Sequence, residues 1–309
     1  MIRSPMRRSY KSRRCGVAIV TAACLFAAKF LPRRLVQTAE IHLFVSFWAP
    51  PTNKVVPHRA EVEAAIAVNL ANLHISALHV LLETTEDFGC PDAQTAILSR
   101  MARSAALLQH ARFVCREFIT KVSYYDMFTE SIKATPWNAI AIVANADQVF
   151  DETLRNVRGL SSHIVGVVST RGFDPHLRLS AVTQYESLMG KSGQARPLRC
   201  VHGIPRMSWD AFIFKVEQAR VQREWFTDEE SGKPFPMNQN GAENAALNGL
   251  LATSHFKKAF NLCDYVHLWH FHSEASTHVN SSEKFVAHMY SIPDACLSLH
   301  GCTHLKNRW

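Results

Sequence analysis

Two carboxylates four residues apart follow directly on the apolar run Ala139–Ala144, in the stretch Asn145-Ala-Asp147-Gln-Val-Phe-Asp151. A continuous apolar run of this kind is expected for a strand buried on both faces of a parallel sheet. An acid just beyond it does not serve the core, and open parallel sheets bind ligands at the carboxyl ends of their strands. Asp147 is therefore expected to face a cleft, and Asp151 to open a helix. Hard cations such as Mg2+ or Mn2+ take few protein carboxylates and complete their shells with phosphate oxygens and water, so the pair points to a divalent cation and a diphosphate ligand. The plainer alternative is that both acids cap the following helix.

A second cluster is His267-Leu-Trp-His270-Phe-His272-Ser273. On a strand His270 and His272 share a face, as the approach to one ion requires. In a chain with 16 histidines, a pair of surface or hydrogen-bonded imidazoles is the plainer alternative. Gly241-Ala-Glu243-Asn244 sits at a helix start, where Glu243 is either a partner of the helix dipole or a general base for an acceptor hydroxyl. Asp210 precedes a further strand in Ser208-Trp-Asp210-Ala-Phe-Ile-Phe214. Ser46, Glu83 and Arg171 complete the polar groups at expected strand ends. No Walker loop, GxGxxG, GxSxG, HExxH or nucleophilic-cysteine motif is present.

These residues need strands and helices to hold them. Alternating β-rich and amphipathic stretches predict strands at 41–47, 77–82, 111–115, 139–144 and 163–168, with helices at 58–73, 92–108, 123–133 and 151–159 between them. Beyond residue 170 the order loosens to a strand at 211–214, a helix at 241–251 and a last strand at 265–271. Repeated strand–helix units indicate one three-layer α/β domain, from about 40 to 280, with a mostly parallel sheet and right-handed crossovers. The segment 281–309 reads as a divergent tail.

The net charge of +8, from 34 Lys and Arg against 26 Asp and Glu, suggests an acidic partner until it is located. Residues 1–34 hold nine basic residues and no acid, which leaves 25 basic against 26 acidic residues in the rest. A nucleic-acid-binding face over the whole fold is thereby excluded. The nine flank a 14-residue apolar run, Cys15 to Ala28, laid out as a hydrophobic helix of a signal peptide or a short signal anchor. Six basic residues before the run and three after it would keep the N-terminus cytosolic and the body in the lumen, as a type II protein of the Golgi or endoplasmic reticulum membrane. An Arg-rich, acid-free organelle transit peptide is the alternative. The six cysteines of the body form no CxxC pair; Cys296 and Cys302 are nearest, and scattered cysteines are more often small buried apolar groups than disulfides.

Taken in chain order, the pieces resemble a family of small glycosyltransferases with a GT-A-like fold that includes inverting rhamnosyltransferase domains. The similarity is carried by Ile41 to Phe47, Asn69 with Asn72, Leu78 to Glu83, Tyr124 to Phe128, Asn145 to Leu154, Thr170-Arg171, Ser208 to Phe214, Gly241 to Asn244 and His270 to Ser273. Each motif is short; the specificity lies in nine of them in order over residues 41 to about 275. The resemblance implies a GT-A-like α/β/α domain that moves a sugar from a nucleotide-diphosphate donor to an acceptor on a glycan, glycoprotein or glycolipid, with Mn2+ or Mg2+. It implies Asp147 as the metal-binding acid with Asn145 before it, His270 or His272 as the C-terminal metal ligand, Glu243 as the base and Glu83 facing the nucleoside. The chain departs from the pattern at Lys121, Gln148, Phe212 and Glu243, where Arg, Ile, Trp and Asp are usual. Those departures are what a catalytically inactive nucleotide-sugar-binding or scaffold protein of the same fold would show.

Overall fold

The structure, a computed structural model, describes residues 39–48, 57–102, 108–169, 209–217, 222–227, 234, 237, 242–253 and 255–270. Its first half alternates strictly: β1 (Ile41–Trp48), α1 (Pro57–Leu70), β2 (Ala77–Glu83), α2 (Cys90–Ala102), β3 (Arg112–Phe118), α3 (Tyr124–Ala134) and β4 (Ile140–Ala144). There follow the short β5 (Gln148–Phe150), a 3-10 helix (Glu152–Gly159), β6 (Ile164–Val168), β7 (Ala211–Lys215), a second 3-10 helix (Arg223–Phe226), α4 (Ala242–Ala252), β8 (Lys258–Asn261) and β9 (Leu268–His270).

Seven strands form one sheet in the order β3-β2-β1-β4-β7-β6-β8, and β5 and β9 form a separate ribbon. β7 alone runs against its sheet neighbours β4 and β6; the other four pairings are parallel. All five residues of β4 are buried, as a strand covered on both faces requires. Alternate residues feed two separate cores. Leu43, Val45, Val80, Leu82 and Ile142 join Ile66 and Ile97 of α1 and α2 on one face. Phe44, Val143, Phe212 and Phe214 join Tyr124 and Phe128 of α3 and Leu247 of α4 on the other. The result is a three-layer α/β/α domain with a mostly parallel sheet, as the alternation of elements predicts.

Aromatic packing fixes the second face. Phe128 lies edge-on to Phe212, with centroids 5.5 Å apart, and tilted against Phe226 at 5.3 Å. Each such buried ring contributes on the order of 2 kcal/mol. Ser123 starts α3 with a capping box: its side chain accepts from Asp126 N–H and Asp126 accepts from Ser123 N–H. Gly249 lets α4 approach the second 3-10 helix, since a Cβ there would meet Trp225 O at 2.6 Å.

The register places the rim of the sheet. Val45 pairs with Val80 and Ala144, Ala144 with Ala211, and Ala211 with Val168. One residue further along lie Ser46, Asn145, Asp210 and Ser169. The ladder continues there, because Asn145 N–H donates to Asp210 O and Asp210 N–H to Val168 O. Since Val45, Ala144 and Ala211 face α1 and α2, the pleat turns Ser46, Asn145 and Asp210 toward α3 and α4.

Several local expectations are revised. The helix expected at 151–159 is a 3-10 helix, whose buried Leu154 and Val157 lie three apart. The last strand is shorter than expected and pairs with β5 outside the main sheet, while β8 lies in a stretch whose pattern predicts no strand. Cys90, at the start of α2, and Cys115, on β3, form a disulfide, and Cys263 is also disulfide-bonded. The scattered cysteines are thus not all plain apolar fillers. The segment 1–34 and the tail 281–309 lie outside the described residues, among which no helix is long and apolar enough to cross a membrane.

Candidate active site

Asp147 and His270 are 123 positions apart and meet at 2.7 Å, His270 Nε2 to Asp147 Oδ2. The β5–β9 ribbon brings them together by pairing Gln148 with His270. Both side chains keep some exposure, 15% for Asp147 and 27% for His270. Burial pushes the His270 pKa down, but the hydrogen bond to Asp147 and the charges of Asp147, Asp210 and Glu61 outweigh it, so the imidazole titrates above its ordinary value. Glu61, buried on α1, was not singled out in the sequence, because nothing in a helical run marks a residue that faces a strand end.

Asp151 has a different task. Its Oδ1 accepts from Thr153 N–H at 2.9 Å and from the Thr153 hydroxyl, and so caps the 3-10 helix. Its Oδ2 accepts from His267 Nδ1 at 3.0 Å and Trp269 Nε1 at 3.1 Å. Burial raises its pKa, yet these hydrogen bonds hold it below the usual carboxylate value. His267 N–H also donates to Thr153 Oγ1 at 2.8 Å. Asp151 is thus the cap foreseen, and additionally the pin between the 3-10 helix and β9.

The ribbon is held on its other side by α1 and the residues at its end. Asn69 and Asn72 donate to the carbonyls of Gln148 and Phe150 at 2.7 and 2.9 Å, and Asn69 Oδ1 accepts from Phe150 N–H at 3.1 Å.

Glu243 occupies the first turn of α4. Burial raises its pKa to about 7, with the like charge of Asp210 adding to the rise. Tyr124, fully enclosed on α3, is pushed well above its ordinary value by burial and by the same two acids. Asp210 therefore stands within electrostatic reach of Glu243, Tyr124 and His270 at once. A buried acid near 7 is suited to take a proton at neutral pH.

Glu83 ends β2, two strands from β4, and opposite Trp48. Its Oε1 accepts from Val122 N–H at 2.8 Å, tying the start of α3 to the sheet rim. Burial raises its pKa against that hydrogen bond and the Lys121 charge. Ser46 and Asn145 flank each other on neighbouring strands, as above. Arg171 and His272 lie outside the described residues. Among the described residues, Ser46, Asn145 and Asp210 thus lie side by side at one end of the sheet, Asp147 is hydrogen-bonded to His270, and the charge of Asp210 acts on both His270 and Glu243.

Among the described residues no three His, Cys, Asp or Glu side chains are placed to hold a metal ion. With the proton of their mutual hydrogen bond released, as ligation requires, Asp147 and His270 fit a hard cation of the Mn2+ type: one carboxylate and one imidazole converge with partial exposure, leaving the remaining positions to phosphate and water.

No protein-family profile matches the chain, and no curated protein matches it. It is similar to the mannosyltransferase PcManGT of Pyrobaculum calidifontis, solved with GDP-Man and Mn2+, at 14% identity over 79% of this chain and 63% of that one, with a TM-score of 0.37. It is also similar to mouse xyloside xylosyltransferase 1, at 15% identity over 57% of this chain and 67% of that one (TM-score 0.33). A third is the inositol-1-phosphate CTP transferase of T. maritima, at 9% identity over 79% and 93% (TM-score 0.41). The chain spans less than two thirds of the length of the mannosyltransferase. All three TM-scores are below 0.5, and the fold described above rests on its own sheet order and cores.

Proposed function

We propose that this chain is a metal-dependent glycosyltransferase that moves a sugar from a nucleotide-diphosphate donor to an acceptor hydroxyl. The observation that carries it is the convergence of Asp147 and His270 at 2.7 Å on the rim where Asp210 and a Glu243 near pKa 7 also stand. A metal-facing pair beside a base is what a displacement at an anomeric carbon needs, and the ordered motifs of a GT-A-like glycosyltransferase fall on these same positions.

Asp147 and His270 would hold the divalent cation, which supplies charge neutralisation to the leaving diphosphate. Glu243 takes the acceptor hydroxyl proton as its oxygen bonds to the anomeric carbon, and the electron pair of the breaking glycosidic bond departs with the diphosphate. A single in-line step of this kind inverts the anomeric centre. Asp210 keeps Glu243 basic through its like charge, and the buried Tyr124 of α3 stands within electrostatic reach of both acids. Ser46 and Asn145 line the rim for the donor, and Glu83 and Arg171 are assigned to it by the same motifs.

We assign residues 41–280 to this domain, 281–309 to a tail and 1–34 to a signal anchor of the secretory pathway, with a lumenal body. The Cys90–Cys115 disulfide supports an oxidising compartment.

Donor hydrolysis and transfer, measured with and without Mn2+, test the proposal. The wild type should turn over only with the cation, and Asp147→Asn should lose at least a hundredfold of that rate. Equal, metal-independent turnover in both would sink it. Donor binding without transfer to any acceptor would instead indicate the inactive, sugar-nucleotide-binding alternative.

A further inference from the structure

Asn69 and Asn72 stand out in the sequence as spaced asparagines on a helical stretch, and the catalytic steps above do not use them. Asn69 is fully buried, in the last turn of α1. A lone buried amide there is costly unless both of its ends are satisfied. Both ends go to one short segment: Nδ2 donates to Gln148 O at 2.7 Å and Oδ1 accepts from Phe150 N–H at 3.1 Å. Asn72 Nδ2 adds a bond to Phe150 O at 2.9 Å and a longer one to Asp151 O at 3.4 Å.

Gln148 O and Phe150 N–H are the groups that a neighbouring strand would use on one edge of β5, since residues two apart point their backbone groups the same way. The opposite edge is taken by β9, in register from Gln148–His270 to Phe150–Leu268. Asn69 therefore acts as a one-residue substitute for a third strand. Three residues of ribbon cannot fix their own position. Held between β9 and two amide side chains, β5 has no freedom to shift. Asp147 is covalently next to Gln148, so the carbonyl that Asn69 grips also sets where the Asp147 carboxylate starts.

We propose that Asn69 and Asn72 are positioning residues for Asp147, holding β5 from the C-terminal end of α1 so that its carboxylate and His270 are presented together to a divalent cation. This rests on the assignment of Asp147 as a metal-binding acid. The two asparagines contact no donor atom of the cation; they act through the backbone of β5.

The test is Mn2+ binding by the full chain, followed by the paramagnetic resonance signal of free Mn2+, with no substrate present. Wild type, Asp147→Asn, Asn69→Ser and Asn72→Ala are compared, each well below its own melting temperature. Loss of a supporting partner around a metal site typically weakens affinity by about 10- to 100-fold. The expected result is a weakening of about tenfold or more in Asn69→Ser, a smaller one in Asn72→Ala, and near-complete loss in Asp147→Asn. A purely structural role would lower the melting temperature of the asparagine variants and leave the Mn2+ affinity of the folded protein unchanged, and that result overturns the proposal. Should Asn69→Ser fail to fold, Asn72→Ala decides it, because Asn72 is only half-buried and its loss leaves the Asn69 bonds in place. Equal Mn2+ binding by wild type and Asp147→Asn would remove the assignment of Asp147 itself, and the positioning role with it.

Discussion

Glu243 carries the sharpest chemical expectation. Its pKa of about 7 comes first from burial and then from Asp210. A carboxylate acting as base works only when deprotonated, so kcat/KM should climb as pH rises through about 7 and level off above it. Replacing Asp210 by Asn removes the like charge but not the burial. The ascending limb should then move to lower pH without reaching the ordinary carboxylate value of 4.5. Glu243→Gln should cut kcat by roughly a hundredfold or more. A pH–rate profile of wild type and Asp210→Asn decides this; a flat wild-type profile between pH 6 and 8 would exclude Glu243 as the base. At this scale Asp147 and Glu243 are legible in the sequence because each stands where a strand ends or a helix begins. The contacts of Asp151 with His267 and Trp269, and the field of Glu61 at His270, are not. They join residues more than a hundred positions apart, or on a helix face that periodicity alone does not orient.

Among the elements, β1 and β2 are joined by a buried histidine pair at the end of the sheet away from the rim. His42 Nδ1 lies 3.1 Å from His79 Nε2, and His42 Nε2 lies 3.1 Å from Glu40 Oε2. The Glu40 carboxylate can only accept, so His42 donates from Nε2 and accepts at Nδ1 from His79. The His79 ring stacks on Phe44 at 4.2 Å. Burial, then the neighbouring His42, lower the His79 pKa from 6.5 to about 4. The unfolded chain therefore binds this proton at a higher pH than the folded one. The neutral pair contributes full stability above about pH 6.5, and that contribution drains away as pH falls toward 4, by about 3 kcal/mol in all. Urea unfolding at pH 7 and at pH 4.5 should show the loss, and His79→Phe should flatten the difference; an unchanged slope would show that His79 titrates normally. The strands β1, β2 and β4 are legible because runs of five to eight β-rich residues outlast any helical period. β9 falls within the last strand expected at 265–271, only shorter. β5 and β8 span three and four residues, too few for a period of two to be told from chance, and the β5–β9 pairing is pinned by side chains such as Asn69 and Asp151.

For the whole molecule, the charge arithmetic separates a basic first segment from a nearly neutral body, and the cysteines now bear on where that body resides. Cys90 and Cys115 are 25 positions apart and join the start of α2 to the edge strand β3. Spacing gave no sign of this pair, since a parallel crossover brings together residues that nothing local relates. In the loop-entropy account, a crosslink over that interval stabilises by roughly 3 kcal/mol. In a domain of this size that corresponds to about 10 °C of melting temperature. The double variant Cys90→Ser with Cys115→Ser should melt lower by that order under non-reducing conditions, as followed by circular dichroism. A disulfide on an edge strand persists only where the surroundings do not reduce it. In cells that carry the full chain through the secretory pathway, alkylation before reduction should therefore leave both thiols unlabelled, and alkylation after reduction should label both. Free labelling of Cys90 and Cys115 in the native protein would argue against a lumenal body and turn the basic N-terminal segment toward the organelle-targeting alternative.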